Sequence, residues 1–193
     1  GFTTADESYH GLVFADALGP AAYIAKLRVQ YLRNVGPAVA PFNAWLLAQG
    51  IETLSLRVER HVQNAKAVAE WLEAREDVAR VHWASLASSP YKALADKYVP
   101  GGSGAIVTFE LPGGVDAGRK FIDALELHSH VANIGDVRSL VIHPASTTHR
   151  QLNDEELAKA GVSADMVRLS VGIEDVDDIL WDIDQALARS KAG

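Results

Sequence analysis

Apolar residues follow helical spacing in three segments of the first 75 residues. The first segment runs from Ala21 to Asn34, and Gly36 with Pro37 is predicted to end it. A second helix is predicted to start after Pro41, with Gly50 breaking or bending it. The third segment, residues 53–75, carries one stripe at intervals of three and four, formed by Leu54, Val58, His61, Val62, Ala65, Val68, Ala69 and Leu72.

From about residue 75 onward, short apolar runs alternate with amphipathic segments. Strands are predicted at Val78–Trp83, Ala105–Glu110, Ser129–Asn133, Ser139–Ile142 and Met166–Val171. Helices are predicted at Ser89–Tyr98, Val115–Leu127 and Val176–Ala188, and Asn153 with Glu156 forms a predicted capping box. This pattern predicts an α/β chain in which one sheet of the α+β type has its helices on one side.

The change of pattern predicts three parts. Residues 1–52 are predicted to be the end of a larger domain, because they contain helices but no matching sheet to cover their apolar faces. Residues 53–75 are predicted to form a connecting helix, and residues 76–193 a small C-terminal domain. The polar, turn-prone opening without an initiator Met leads us to expect a piece of a longer protein.

Charge and composition narrow the possible partners. The 193 residues carry a net charge of −7 with a pI near 5.4, which argues against nucleic acid and anionic membranes as partners. No apolar run approaches the roughly 18 residues that a membrane span needs. The chain has no cysteine, so it has neither disulfides nor thiolate metal ligands, and we expect a cytoplasmic protein.

Arg168 is the candidate for anion binding. Val167, Leu169 and Val171 alternate toward one face of the last predicted strand, which places Arg168 and Ser170 on the other face. A guanidinium in an apolar segment needs an anion, and its planar fork matches a carboxylate in bidentate fashion. The residues alone leave three possibilities open: a ligand carboxylate, a structural salt bridge or a solvated sheet face.

A second candidate region is NIGDVRSLVIHPASTTH. Asn133 ends a predicted strand before the turn at Gly135, and its amide both donates and accepts hydrogen bonds. The hydroxyls of Ser146, Thr147 and Thr148 follow Pro144, and either the backbone of a turn or a ligand can use them. Taken alone, the turn is the favoured interpretation.

Metal and phosphate sites are disfavoured by the residue pattern. His128, His130, His143 and His149 fall within 22 residues, yet no cysteine or Glu-rich segment accompanies them at ligand spacing. We therefore expect core or surface histidines and no metal. Neither a G-x-G-x-x-G nor a G-x-x-x-x-G-K-[ST] phosphate loop occurs.

Three separated motifs, in order, carry a resemblance to a known family. GPAVAPFNAWLLAQGIETLSLRVERHVQNA, SHVANIGDVRSLVIHPASTTH and VRLSVGIED resemble the Cys/Met-metabolism family of pyridoxal-phosphate (PLP) enzymes of fold type I. Within this family the motifs are most similar to O-acetylhomoserine and O-acetylserine sulfhydrylases, also called homocysteine synthases. The resemblance covers essentially the whole chain, as the C-terminal half of an aminotransferase-like protein.

The resemblance implies an activity and a set of binding residues. Sulfhydrylases combine O-acetyl-L-homoserine with sulfide to give homocysteine and acetate, with the PLP ring as electron sink. It implies that Arg168 grips the substrate α-carboxylate, with Asn133 beside it and Thr148 near substrate or cofactor. It also implies a homotetramer for the full-length protein, while leaving the oligomeric state of this chain open.

The resemblance also implies that the catalytic centre is missing. Relatives anchor PLP through a lysine in a Ser-x-Thr-Lys segment, and none of the seven lysines has that context. We therefore expect the Schiff-base lysine upstream of this chain, and the chain alone to bind no PLP and to be inactive. Ala40 replaces the serine common before Pro-Phe, which puts only local packing in question.

Two alternatives stay open. A cystathionine γ-synthase or γ-lyase of the same family is disfavoured by Arg138, where cystathionine-handling relatives typically carry glutamate, and by Asn133 where lyases usually carry serine. The other alternative is a non-catalytic binding or assembly module that keeps the fold.

Overall fold

A computed structural model describes residues 1–191 of the chain, apart from the side chain of Asp154. By contacts the chain divides into two compact units, residues 1–50 and residues from Ile51 onward. The helices are α1 Phe14–Leu18, α2 Ala22–Lys26, α3 Arg33–Val35, α4 Pro41–Glu52, α5 Leu54–Glu73, α6 Lys92–Tyr98, α7 Gly114–Ala124, α8 Asp154–Lys159 and α9 Val176–Lys191. The strands are β1 Arg80–His82, β2 Ile106–Glu110, β3 Ser129–His130, β4 Leu140–Ile142 and β5 Met166–Ser170.

The first unit is organised around a buried lysine. The ammonium of Lys26 donates to the Gly1 carbonyl oxygen at 2.6 Å and pairs with the Asp6 carboxylate at 2.9 Å. It also lies 5.0 Å from the ring centroid of the buried Phe14. A buried ammonium is tolerated because anionic and carbonyl oxygens and an aromatic face replace its hydration shell. The predicted helix over residues 21–34 is confirmed, and its middle, Leu27–Leu32, is π-helical.

Two predictions about the long helices need correction. Gly50 does not break α4, which continues to Glu52; the interruption falls at Thr53, whose dihedral angles lie outside the helical region. The buried stripe on α5 also starts later than predicted, since Leu54 and Val58 are exposed and the buried residues begin at His61. Gly50 is tolerated within α4 because a glycine costs a helix only about 1 kcal/mol, which neighbouring turns can offset.

The second unit contains one mixed five-stranded sheet in the order β1-β2-β5-β4-β3. The pairs β1–β2, β2–β5 and β4–β5 are antiparallel, and β3 runs parallel to β4. β5 therefore lies at the centre of the sheet. Its register places Arg168 opposite Thr108 of β2 and Ile142 of β4. The observed strands are shorter than predicted by one to three residues at their ends, most of all β3.

Helices α5, α7 and α9 form the core with one face of this sheet. The sheet contributes the buried side chains Val107, Phe109, Val141, Val167 and Leu169. Phe109 meets Phe121 of α7 edge to face, with ring centroids 5.6 Å apart and planes at 88°. Such pairs stabilise a core by about 1 kcal/mol beyond their buried area. The predicted α/β class, with helices packed on one side of the sheet, is confirmed.

A buried hydrogen-bonded pair, His128 and Asp182, fixes the connection from α7 to β3. The Asp182 carboxylate on α9 accepts a hydrogen bond from Nδ1 of His128 at 2.8 Å, and both side chains are fully buried. It also accepts the backbone N–H groups of Glu126, Leu127 and His128 at 2.7–3.0 Å. These donors satisfy the buried charge, as burial requires.

The loop after β4 ends in a helix with the predicted start. Asn153 accepts the backbone N–H of Glu156 at 3.0 Å, and the Glu156 carboxylate accepts the Asn153 N–H at 2.9 Å. The capping box predicted from the sequence is thus confirmed. The predicted division into residues 1–52, 53–75 and 76–193 stays a prediction.

Candidate functional site

Arg168 lies on the sheet face opposite the helical core. Its neighbours Val167 and Leu169 are completely buried against the helices, whereas Arg168 itself is half-buried. Alternation along β5 therefore has the effect predicted from the sequence. Next to it on the same face, Ser170 is buried, and its hydroxyl has no hydrogen-bond partner within residues 1–191.

The guanidinium of Arg168 is held from the loop that follows β3. Nη2 of Arg168 donates to the backbone carbonyl oxygen of Asn133 at 2.9 Å. The Asn133 side-chain oxygen accepts the N–H of Ile134 at 2.9 Å, and Gly135 then adopts φ +77°. The structure thus brings together two of the three predicted site residues. The contact to Asn133 runs through its backbone carbonyl, and the side chain stabilises the turn.

The same turn carries an opposite pair of charges. Asp136 Oδ1 accepts the backbone N–H of Arg138 at 3.0 Å, and the Nε of Arg138 lies 3.5 Å away. These two hydrogen bonds lower the pKa of Asp136 below its usual value, so the carboxylate is ionised at neutral pH. The Arg138 side chain is 65% exposed, which leaves its charge accessible beside the loop.

Thr148 stands apart from this pair. It is exposed, and its hydroxyl hydrogen-bonds Nδ1 of His149 at 2.9 Å. Within residues 1–191, no hydrogen bond joins Thr148 to Arg168 or Asn133. Its neighbour Thr147 donates to the carbonyl oxygen of His143 at 2.8 Å, which is the turn function favoured for these hydroxyls. A substrate or cofactor role for Thr148 stays a prediction.

Sequence reasoning missed the group that fixes the far end of the Asn133 turn. The Glu174 carboxylate accepts the backbone N–H of Ser139 at 2.6 Å and its hydroxyl at 3.0 Å. The Ser139 hydroxyl oxygen in turn accepts the Gly172 N–H at 2.9 Å. Glu174 follows β5 in the quoted motif VRLSVGIED, but nothing in that motif indicates a partner 35 positions earlier.

Helix α5 holds the same exit from β5. Nδ1 of His61 donates to the Val171 carbonyl at 2.6 Å, and Asn64 Nδ2 donates to the carbonyls of Gly172 at 3.1 Å and Glu174 at 2.9 Å. Both side chains are buried. The available signal was a second polar residue, Asn64, three positions after His61 of the predicted stripe, since a buried amide needs partners.

The clustered histidines bind protein groups. His143 is buried, and its Nε2 donates to the Ala164 carbonyl at 2.8 Å while Nδ1 meets the Ser146 hydroxyl at 3.0 Å. His128 pairs with Asp182, and His130 is exposed. Among the described residues, no group of three or more His, Asp or Glu side chains is arranged to hold a metal ion.

The lysines of this chain do not fit the role of a PLP anchor. An anchoring lysine needs an amine free to react in an enclosed pocket. Lys26, the buried lysine, already has its ammonium bound to Asp6 and Gly1. The others lie on helix surfaces, where Lys66, Lys92 and Lys159 pair with acidic residues one turn away.

None of the helices described in residues 1–191 combines the length and the apolar composition that a membrane span requires.

A small α/β unit that holds Arg168 against the Asn133 backbone, on the sheet face away from its helices, forms the frame of the candidate site. Comparison with known sequences identifies the family of the chain. The profile of the Cys/Met metabolism PLP-dependent enzymes matches residues 8–188. The chain therefore belongs to this family. The family assignment made from three motifs is confirmed.

The relatives with similar sequences include sulfhydrylases. The chain is 52% identical over 187 residues to the O-acetyl-L-homoserine sulfhydrylase of Corynebacterium glutamicum, covering 97% of this chain and 43% of that protein. It is 50% identical to O-acetyl-L-homoserine sulfhydrylase 1 of Thermus thermophilus and to the homocysteine synthase of Schizosaccharomyces pombe, covering 96% of this chain in both. The chain thus spans less than half the length of these relatives.

Solved structures agree with this fold. The crystal structure of a putative O-acetylhomoserine (thiol)-lyase from Campylobacter jejuni matches with a TM-score of 0.83 at 42% identity, over 97% of this chain and 44% of that one. That protein carries a pyridoxyl-lysine monophosphate at its position 205. A cystathionine gamma synthase from Xanthomonas oryzae matches with a TM-score of 0.78 at 38% identity, over 89% of this chain and 44% of that one.

Proposed function

We propose that this chain supplies the substrate-binding part of a PLP-dependent transferase that converts O-acetyl-L-homoserine and sulfide into L-homocysteine and acetate. The observation that carries the proposal is the guanidinium of Arg168, held by the backbone carbonyl of Asn133 on the sheet face opposite the helical core. The sulfhydrylases among the relatives, at 50–52% identity, support the choice of substrate. The product places the enzyme in methionine and cysteine biosynthesis.

Arg168 has the free donors that a carboxylate needs. A guanidinium carries five N–H groups, and the described structure uses one of those on Arg168, the Nη2 bond to Asn133. The remaining edge can donate two parallel hydrogen bonds to an α-carboxylate. The bond to the Asn133 carbonyl limits rotation of the guanidinium, which reduces the entropy lost when a substrate binds.

The cofactor chemistry is assigned to another part of the protein. PLP supplies the electron sink for carbanions at the substrate carbons when it is bound. Because the lysines of this chain do not fit the anchor, its residues act on substrate position: Arg168 binds the carboxylate, and the Asn133 loop orients Arg168. Thr148, exposed after β4, completes the proposed set of substrate-binding residues. The chain alone is therefore inactive.

A cystathionine synthase is the second candidate function. Its support is the Xanthomonas oryzae structure, whose fold matches over 89% of this chain. Arg138 weighs against it, because an exposed cation beside the loop repels the distal ammonium of cystathionine and not an acetyl ester. The proposed partners are therefore the small molecules O-acetylhomoserine and sulfide. For the full-length protein we also propose a homotetramer in the cytoplasm.

A chimaera separates these possibilities. This chain replaces the matching 43% of the Corynebacterium glutamicum sulfhydrylase, and the purified protein is assayed with PLP. One assay contains O-acetyl-L-homoserine with sulfide, the second O-acetyl-L-homoserine with cysteine, and the third cystathionine alone. We expect homocysteine and acetate at the rate of the unmodified relative within about one order of magnitude, since 52% of the 187 aligned residues are identical.

The other outcomes each contradict the proposal. Cystathionine formed faster than homocysteine assigns the chain to the synthases. A folded, PLP-loaded chimaera without any turnover supports the alternative that this chain is a non-catalytic binding or assembly module, because it then fails to support the chemistry of the other half.

A further inference from the structure

The Glu174 carboxylate joins the segment that follows β5 to Ser139, the residue before β4. Its two oxygens accept the backbone N–H of Ser139 at 2.6 Å and the Ser139 hydroxyl at 3.0 Å. Ser139 is completely buried, and its own carbonyl accepts the Ser129 N–H of the neighbouring strand at 3.0 Å. Hydrogen bonds to a carboxylate are about twice as strong as neutral ones. Glu174 therefore fixes the backbone immediately before β4.

This contact ends the loop that holds Arg168. The loop of residues 131–139, termed here the Asn133 loop, connects β3 to β4 and presents the Asn133 carbonyl to Arg168. A second bond, from the N–H of Ile173 to the Val137 carbonyl at 2.9 Å, lies beside the Glu174 contact. The tip is otherwise open, since Ile134 is 67% exposed. The position of the loop tip therefore depends on how the Ser139 end of the loop is fixed.

Glu174 is itself fixed from the helical side. Asn64 donates to the backbone carbonyls of Gly172 and Glu174, and His61 donates to that of Val171. A carboxylate on a mobile backbone could follow the loop, but this backbone is attached to α5. At Gly172 a Cβ atom would lie 2.5 Å from Ser139 N and Val137 O, so the two segments pack backbone against backbone.

We propose that Glu174 is a positioning residue for substrate binding, acting through Ser139 and the Asn133 loop to hold the Arg168 guanidinium in its carboxylate-binding orientation. Among the described residues no hydrogen bond or ion pair joins Glu174 to the guanidinium, so its effect passes through the loop. The proposal rests on the proposed function, in which Arg168 binds the substrate carboxylate. A preorganised arginine binds its ligand more tightly than a mobile one, because less rotational freedom is lost on binding.

The test measures Arg168 in the 193-residue chain with ¹⁵N-labelled arginine. Without ligand, NMR reports how freely the guanidinium rotates; titration with O-acetyl-L-homoserine then gives the affinity. We expect Glu174→Ala to let the guanidinium rotate more freely and to lower the affinity roughly 10-fold, because more rotational freedom is then lost on binding. Glu174→Gln keeps one acceptor for the Ser139 N–H and is expected to lie between Glu174→Ala and the unmodified chain.

The controls separate positioning from stability. Asp178→Asn removes an exposed carboxylate from the start of α9 and is expected to leave rotation and affinity unchanged. Circular dichroism at the titration temperature establishes that each variant is folded. If Glu174→Ala does not fold, Glu174→Gln and Ser139→Ala, which each remove part of the contact, decide the question in the same two measurements.

Arg168→Ala distinguishes the two proposals. If Arg168→Ala lowers the affinity and Glu174→Ala does not, Glu174 is only structural and the inference is wrong while the proposed function stands. If Arg168→Ala leaves the affinity unchanged, the proposed function itself is wrong. In the Arg168→Ala background, Glu174→Ala is expected to cause no further loss, because its effect requires the guanidinium.

Discussion

Nη2 of Arg168 donates to the backbone carbonyl of Asn133 at 2.9 Å, which joins the central strand to a loop 35 positions earlier in the chain. Because the acceptor is a main-chain oxygen, the contact does not depend on the Asn133 side chain. It leaves most of the guanidinium donors available, so the arginine is oriented without being neutralised. A structural salt bridge, the alternative left open by the sequence, has no carboxylate partner for Arg168 within residues 1–191.

The close packing at Gly172 predicts a steric effect. An added Cβ in Gly172→Ala lies 2.1 Å from Glu174 Oε2 and 2.5 Å from two backbone atoms, Ser139 N and Val137 O. Backbone atoms cannot move away without opening the Asn133 loop. We expect a loss of about 1–3 kcal/mol in the free energy of unfolding, measured by urea denaturation. Gly101→Ala, where nothing lies within 4 Å, is the matched control and is expected to leave stability nearly unchanged.

The buried pair of His128 and Asp182 predicts acid sensitivity. Burial alone raises the pKa of Asp182, but the hydrogen bonds from His128 and three backbone N–H groups outweigh it and lower the pKa well below its ordinary value of 3.8. The stabilising contribution is therefore fully present above pH 3.8 and is lost as the pH falls below that value. Urea denaturation from pH 7 down to about pH 2 follows this loss, most of which is expected below pH 3.8.

Asp182→Asn removes the charge and points an amide N–H₂ toward donor groups. We expect a loss of about 3 kcal/mol at pH 7, the usual effect of leaving a buried group without its partner. The acid-dependent part of the stability is expected to shrink with it. Asp177→Asn, an exposed carboxylate on the same helix, is the control. Equal losses in the two variants contradict the structural role assigned to Asp182.

The lysines predict how the chain reacts with PLP. No lysine combines burial with a free amine, so borohydride reduction of a mixture of chain and PLP is expected to label exposed lysines at low and similar levels. Peptide mapping by mass spectrometry measures the distribution. Stoichiometric labelling at one position, Lys26 above all, contradicts the assignment of the cofactor anchor to another part of the protein.

The sequence predicted elements more reliably than contacts. Helical spacing located α5 and α9, and alternation placed Arg168 opposite the core, because both patterns are local. The break after α4 was misplaced at Gly50, since helix propensity is a weak preference that tertiary packing overrides. Ser139 and Glu174 were not predicted as partners, because their contact depends on the order of strands in the sheet.

Family motifs extended the prediction to residues that periodicity cannot rank. Arg168 and Asn133 were candidates from the residues alone, the resemblance assigned them to substrate binding, and the structure brings them together. Thr148 was selected in the same way, yet its observed hydrogen bond goes to His149. The difference is physical: Arg168 lies in a central strand whose register fixes it, whereas Thr148 lies in an exposed turn.

The most direct test of the account is the effect of Arg168 substitutions on kcat/KM of the chimaera for O-acetyl-L-homoserine. We expect Arg168→Ala to lower kcat/KM by roughly 100-fold, through the loss of a charged hydrogen-bonded contact, and Arg168→Lys to lie between, because it keeps charge without the planar fork. Arg119→Ala, an exposed arginine on α7, is expected to stay within about twofold of the unmodified chimaera. An active chimaera whose Arg168→Ala variant matches the Arg119→Ala variant in kcat/KM contradicts the claim that this guanidinium binds the substrate.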